Sequence, residues 1–227
     1  MPAPYIGADL PGPFRLPETV ALTRTPGTLS AWLLGLPETW TRATEGEGTW
    51  SPYDVIGHLI HGERTDWIPR ARHILAGDPR PFETFDRTAM FQESEGRTLT
   101  ELLATFAELR RENLEALVAL NLAEADLDRR GLHPQLGEVT LGQLLATWVV
   151  HDLDHVTQIA RTLAKVYSAA TGPWIEYLSV LRDRLEPREL PETSIEDLIG
   201  CTGYRGPTKA IEELSAGPSL KAPNSAS

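Results

Sequence analysis

The chain is poor in the features that mark several large protein classes. It has one cysteine, Cys201, so an internal disulfide and a cysteine-based zinc site are both ruled out. That usage fits a reducing cytoplasm. No apolar run approaches the roughly 20 residues that a membrane-spanning helix needs. The segment Met1 to Glu18 is rich in Pro and Gly and has no apolar stretch flanked by positive charge, so it does not read as a secretory signal. Positive charge is in deficit, with 21 Lys and Arg against 32 Asp and Glu and a net charge of -11. Such a balance argues against a nucleic-acid partner, because phosphate backbones are bound by clustered cations. No convincing strand pattern and no internal repeat are visible. The expectation is a soluble cytoplasmic protein acting on a small molecule, with neither nucleic acid nor membrane as partner.

What remains is an ordinary globular composition, 41% hydrophobic over 227 residues, enough for one sizeable domain with extensions. Helix punctuation is legible. Thr25-Pro26 and Ser51-Pro52 each place a capping hydroxyl before a proline suited to a first helical turn. The first predicts a short helix from Pro26 to about Leu36, the second a longer one from Pro52 to about Ala76 stopped by Gly77. Pro69 inside the latter predicts a kink or break. From Gly77 to Arg97 the chain reads as a long irregular connection whose Phe82, Phe85 and Phe91 pack back onto the body. A third helix is expected from Leu99 to Leu120, with Leu102, Leu103, Phe106, Leu109, Leu114 and Leu117 as its apolar stripe. Its charged residues, Arg110 among them, read as a solvated face.

Thr140 caps a fourth helix reaching about Val166, on which Leu141, Leu144, Trp148, His151, His155 and Ile159 share one face. Gly172-Pro173 opens a short extra helix to about Leu185. The expected organisation is an N-terminal extension over 1–24, an all-α four-helix bundle over 25–186, and a partly disordered tail over 187–227.

Chemistry concentrates in the histidines. His151 and His155 form an HxxxH pair, and residues four apart on a helix project to the same side, where two imidazoles can share one ion. Two polar rings among Leu144, Trp148 and Ile159 need partners for their nitrogens, and a metal supplies one to each. The competing reading is a pair of core or surface histidines hydrogen-bonded without metal. The glutamate that serves zinc peptidases in HExxH is missing; Asp152 stands there and projects away from the pair. His58, midway along the second helix, completes a three-imidazole set that leaves coordination positions open. Neutral imidazoles suit several divalent ions. His61 and His73 read as surface or helix-end residues, His133 as a loop residue, and Asp54 as a solvated carboxylate one turn from His58.

Three segments in order then carry a family resemblance. They are Thr25-Pro26-Gly27-Thr28-Leu29 with Leu33-Leu34, Trp50-Ser51-Pro52-Tyr53-Asp54-Val55-Ile56-Gly57-His58-Leu59, and His151-Asp152-Leu153-Asp154-His155-Val156-Thr157-Gln158-Ile159-Ala160. Together they resemble the DinB-like, or YfiT-like, superfamily of metal-dependent enzymes over about Thr25 to Leu185. The resemblance implies an up-down-down-up four-helix bundle, a metal site of His58, His151 and His155 holding Zn or Ni, and a homodimer. It also implies a long crossover after Gly77. Some relatives transfer or isomerise with a low-molecular-weight thiol as co-substrate. A mycothiol-dependent branch often has Glu where this chain has His151. The leading expectation is therefore a metal-dependent thiol S-transferase, with a hydrolase using the same ion beside it. Its rival is a non-catalytic stress-response or binding protein that the metal merely staples.

Overall fold

A computed structural model describes residues 18–181. Four long helical segments pack into a bundle. They are α1 (Glu18–Leu33), the pair α3 (Pro52–Thr65) and α4 (Trp67–Ala76), α6 (Leu99–Ala119) and α7 (Leu141–Val166). Two short helices, α2 (Glu38–Thr41) and α5 (Ala89–Ser94), sit in the connections. The expected tail over 187–227 lies outside the described residues.

Capping explains where the long helices begin. Ser51 accepts from the Asp54 amide while the Asp54 carboxylate accepts from the Ser51 amide, a reciprocal box that opens α3. Asp54 is thus a capping residue. Thr98 with Glu101 and Thr140 with Gln143 do the same for α6 and α7. Gly77, left-handed at φ 67°, ends α4.

The prolines act differently from the sequence expectation. Helix α1 starts at Glu18, inside the stretch expected to be an extension, and carries Pro26 in its interior. Proline there has no N–H for the carbonyl four residues back. That carbonyl belongs to Leu22, and it accepts instead from the Arg110 guanidinium at 2.9 Å. The lost helical bond is replaced by a tertiary one, so the helix runs through. At Pro69 the expected break is present but falls earlier, at Asp66. The proline ring collides with the carbonyl of residue i−4, which is Thr65, and α3 stops there.

Two further departures concern the connections. Residues Arg130–His133 (β1) and Gly137–Thr140 (β2) form an antiparallel hairpin pairing Gly131 with Val139 and Leu132 with Glu138, where no strand was expected. Each strand is four residues long, too short for alternation to stand out in sequence. The Phe82 amide donates to the Leu132 carbonyl at 2.9 Å, so the crossover loop is tied to this hairpin. Gly131 is required here: a Cβ would come within 2.7 Å of the Phe82 ring and of Ile74. Phe82 is buried as expected, whereas Phe91 is exposed. The short extra helix after α7 consists of 3-10 turns, Ser168–Tyr177 and Ser179–Leu181, interrupted at Gly172.

The core falls into two clusters. One gathers Trp67, Ile68, Phe82, Leu145 and Trp148; the other gathers Tyr53, Ile56, Leu59, Phe106 and Ile159. Helix α7 contributes to both clusters, whereas α3 contributes to the second alone.

Candidate metal centre

His58 from α3 and His151 and His155 from α7 meet at one point. The Nε2 atoms of His58 and His151 are 3.1 Å apart, and those of His151 and His155 are 3.2 Å apart. All three ligand atoms lie within 4.8 Å of one another. Nitrogens bound tetrahedrally at a usual Zn–N distance stand about 3.3 Å apart, so the spacing matches a shared ion.

The hydrogen-bond pattern points the same way. His155 Nδ1 lies 2.9 Å from the Gln158 carbonyl oxygen, which can only accept, so the proton sits on Nδ1 and Nε2 presents a lone pair. The buried Nδ1 atoms of His58 and His151 have no protein partner. Without a cation, three converging Nε2 atoms share too few protons to satisfy one another. One divalent ion satisfies all three, and the donor set fits it.

Electrostatics keep the rings ready. Burial pushes His58 down to about 3, aided by His155, His61 and Arg87. Burial likewise pushes His151 down to about 3, aided by His155, His58 and Arg110. His155 is lowered mainly by burial, against the pull of Gln158 and of Asp154 and Asp152. The imidazoles are therefore neutral at pH 7, the form a metal requires.

An aromatic frame fixes their orientation. Trp50 stacks on His155 at 6.4 Å and lies 4.8 Å from His58. Phe85 packs edge-on against His58 at 5.3 Å, and Trp67 against His151 at 5.1 Å. Trp67 in turn stacks on Trp148 at 5.7 Å. The Trp67 indole nitrogen lies 3.6 Å from where a Cβ on Gly62 would stand, an ordinary contact distance.

Behind the histidines lies a buried charge cluster. Arg110 donates to both Asp152 oxygens, at 2.5 and 2.9 Å, and to Glu63 at 2.8 Å. Glu63 also accepts from the Trp148 indole N–H at 3.0 Å and from the Asn113 side chain at 2.9 Å. The expectation that Arg110 faces solvent is wrong; it is 1% exposed. Its position on the rim of the α6 stripe, together with the orphaned Leu22 carbonyl, draws it inward. Asp152 does turn away from the histidine pair, toward Arg110, which removes it as a peptidase-like base.

The other histidines separate from the triad. His61 is buried, contrary to a surface role, and bonds Glu93 at 2.9 Å with Phe85 packed against it. His73 sits in the last turn of α4 and contacts the Arg80 carbonyl at 2.9 Å. His133 caps the hairpin turn through Nδ1. Sequence reasoning had Phe85 packing back onto the body, as it does, but gave it no role at the site, and it missed Trp67, Arg87 and Gln158. Of these only Gln158, one turn beyond His155, had a local signal.

The triad opens into a cavity of about 780 Å3, whose walls include Trp50, Phe85, Arg87, Leu136, Gln143 and Thr147. That size suits a small molecule. Asp66 lines it too, its carboxyl raised by burial and partly drawn back by Arg70 and His61.

A sequence model described as the DinB superfamily matches residues 21–159, more than half of the chain. The chain belongs to the DinB superfamily. No curated protein matches it. Among solved structures, this DinB-superfamily bundle is similar to YfiT from Bacillus subtilis, described as a probable metal-dependent hydrolase with an unusual four-helix bundle topology. The two are 18% identical with a TM-score of 0.59, over 71% of this chain and 95% of that one. TT2238, described as a four-helix bundle protein, is 21% identical with a TM-score of 0.44, over 63% of this chain and 96% of that one. No helix among the described residues is long and apolar enough to cross a membrane.

Proposed function

We propose that His58, His151 and His155 hold one divalent ion, Zn or Ni, through their Nε2 atoms, and that the protein is a metal-dependent thiol S-transferase. The observation that carries this is the convergence of three neutral imidazoles, with buried backs, at the floor of a solvent-open cavity. Three protein ligands leave room for a fourth from substrate, the arrangement of catalytic rather than structural sites. The ion supplies Lewis acidity that keeps a low-molecular-weight thiol as its thiolate at neutral pH. The thiolate sulfur forms a bond to an electrophilic carbon of a second small molecule, the leaving group departs with its electron pair, and the thiol proton passes to solvent. Gln158 holds the His155 tautomer, while Trp50, Phe85 and Trp67 hold the ring planes.

A second reading is supported by the description of the YfiT relative, which points to a hydrolase. The same residues then position water in place of thiol. A non-catalytic role, in which the metal only staples the bundle, is weakened by the open cavity.

The test begins with elemental analysis of protein purified without a nickel resin. One ion per chain is expected, lost in His155→Ala. Metal-loaded protein is then incubated with a reactive electrophile and a panel of thiols, and separately with ester and amide substrates. Consumption that depends on both thiol and metal supports the transferase. Thiol-independent, metal-dependent turnover selects the hydrolase. Full metal content with no turnover of any kind, together with a large loss of stability on chelation, favours the staple.

A further inference from the structure

The cavity over the triad holds an arginine that the metal reading does not use. Arg87 lines the wall alongside His58, His151 and His155. Among the described residues no hydrogen bond or ion pair engages its guanidinium. Its neighbours of like charge are committed: Arg70 lies 2.7 Å from Asp66, and Arg64 is tied to Glu93. In a chain with 32 acidic against 21 basic side chains, an arginine without a carboxylate partner beside the site calls for a reason.

The backbone around Arg87 is anchored on both sides. Phe85 is wedged edge-on against His58 and His61, at 5.3 and 4.8 Å. The Asp86 carboxylate accepts from the Thr88 amide at 2.8 Å, the Thr88 hydroxyl at 2.7 Å and the Ala89 amide at 3.3 Å, closing a tight turn ahead of α5. Arg87 is thus carried by a fixed turn beside the metal-site histidines.

Charge in the cavity leads to a ligand class. Counted over the lining side chains, two arginines (Arg70, Arg87) stand against two aspartates (Asp66, Asp154), and of the arginines Arg70 is the one paired within the lining, with Asp66. A divalent ion on the histidines therefore leaves a surplus of two positive charges. A thiolate at the ion accounts for one. A planar carboxylate on the forked guanidinium accounts for the other, in the two-bond geometry that arginine favours. Resting on the proposed thiol-transferase reading, we propose that Arg87 anchors a carboxylate on the ligand bound at the triad, so that the thiol substrate is a mercaptocarboxylate rather than a neutral thiol. Phe85, Leu136, Val139 and Leu144 form an apolar wall for the uncharged electrophile.

The probes are 3-mercaptopropionate and the neutral 2-mercaptoethanol, titrated into cobalt-loaded protein and followed by the sulfur-to-cobalt absorption band. The wild type is expected to bind the mercaptocarboxylate roughly 10- to 100-fold more tightly, the worth of a charge-assisted bidentate bond. Arg87→Met brings that affinity down to the mercaptoethanol value and leaves mercaptoethanol binding unchanged. Arg87→Lys restores part of the preference. Equal binding of the two thiols by the wild type, or a preference that survives in Arg87→Met, overturns the anchor while the appearing band leaves the thiol reading intact. A second readout does not need a thiol. The Arg87 side-chain Nε–H resonance of zinc-loaded protein, assigned by its loss in Arg87→Lys, is followed on adding succinate. If neither thiol produces a band, the transferase reading fails. A resonance moved by succinate then keeps the carboxylate anchor, and an unmoved one overturns it.

Discussion

Acid should destabilise the metal-free protein well before carboxylate titration begins. In the unfolded chain each histidine titrates near its ordinary value of about 6.5. In the folded protein burial holds His58 and His151 down at about 3, and His155 is lowered as well. Above pH 6.5 both states are neutral and the groups contribute nothing. As pH falls below that value the unfolded chain takes up protons that the folded one refuses, so stability drops, and the loss continues until the folded rings titrate near pH 3. At pH 5 the gap is about 1.5 pH units, or about 2 kcal/mol for each imidazole. His58 and His151 together thus remove about 4 kcal/mol, a large part of the roughly 5–15 kcal/mol that holds most domains folded. Asp66 works the other way. Its carboxyl, raised by burial, favours the folded state as pH falls. The assay is urea unfolding of chelator-treated protein at pH 7, 6 and 5, followed by circular dichroism. His151→Leu should lose less stability than wild type between pH 7 and 5, by about 2 kcal/mol. A stability that is flat across this range, or an unchanged slope in His151→Leu, would refute the burial argument.

Other substitutions probe the framework. Arg110→Met leaves Glu63 and Asp152 buried without their cation and frees the Leu22 carbonyl, a loss of about 3–5 kcal/mol in urea unfolding; adding Glu63→Gln and Asp152→Asn should recover part of it. Trp148→Phe removes the indole donor to Glu63 at 3.0 Å and should cost about 1–3 kcal/mol, read as a lower melting temperature. Gly131→Ala drives a methyl into Phe82 and Ile74 and should cost about 1–3 kcal/mol by the same measurement, less when combined with Phe82→Leu.

Local signals in the chain were enough for the starts of α3, α6 and α7 and for the histidine pair on α7. Ser51, Thr98 and Thr140 mark their helix starts because a capping box involves residues three apart, and His151 and His155 share a face because of the helical repeat. The prolines show the limit of such reasoning. Pro26 looks like a helix start, yet the helix passes through it because Arg110, far away in sequence, takes over the Leu22 carbonyl. Arg110 itself looks solvated on its own helix, since the carboxylates that bury it come from α3 and α7. The hairpin escaped notice because its strands are too short for a period to show.

The candidate site divides along the same line. Sequence alone determined that two imidazoles project together from α7 and that a third stands on a capped helix, because those facts depend on spacing and local bonds. Tertiary structure decided that the three Nε2 atoms meet within bonding range of one ion, and that Gln158 sets a tautomer. It also decided that Trp50, Phe85 and Trp67 frame the rings while Arg87 lines the same cavity. These depend on how α3, the crossover loop and α7 pack against one another, and packing joins residues that no local pattern relates.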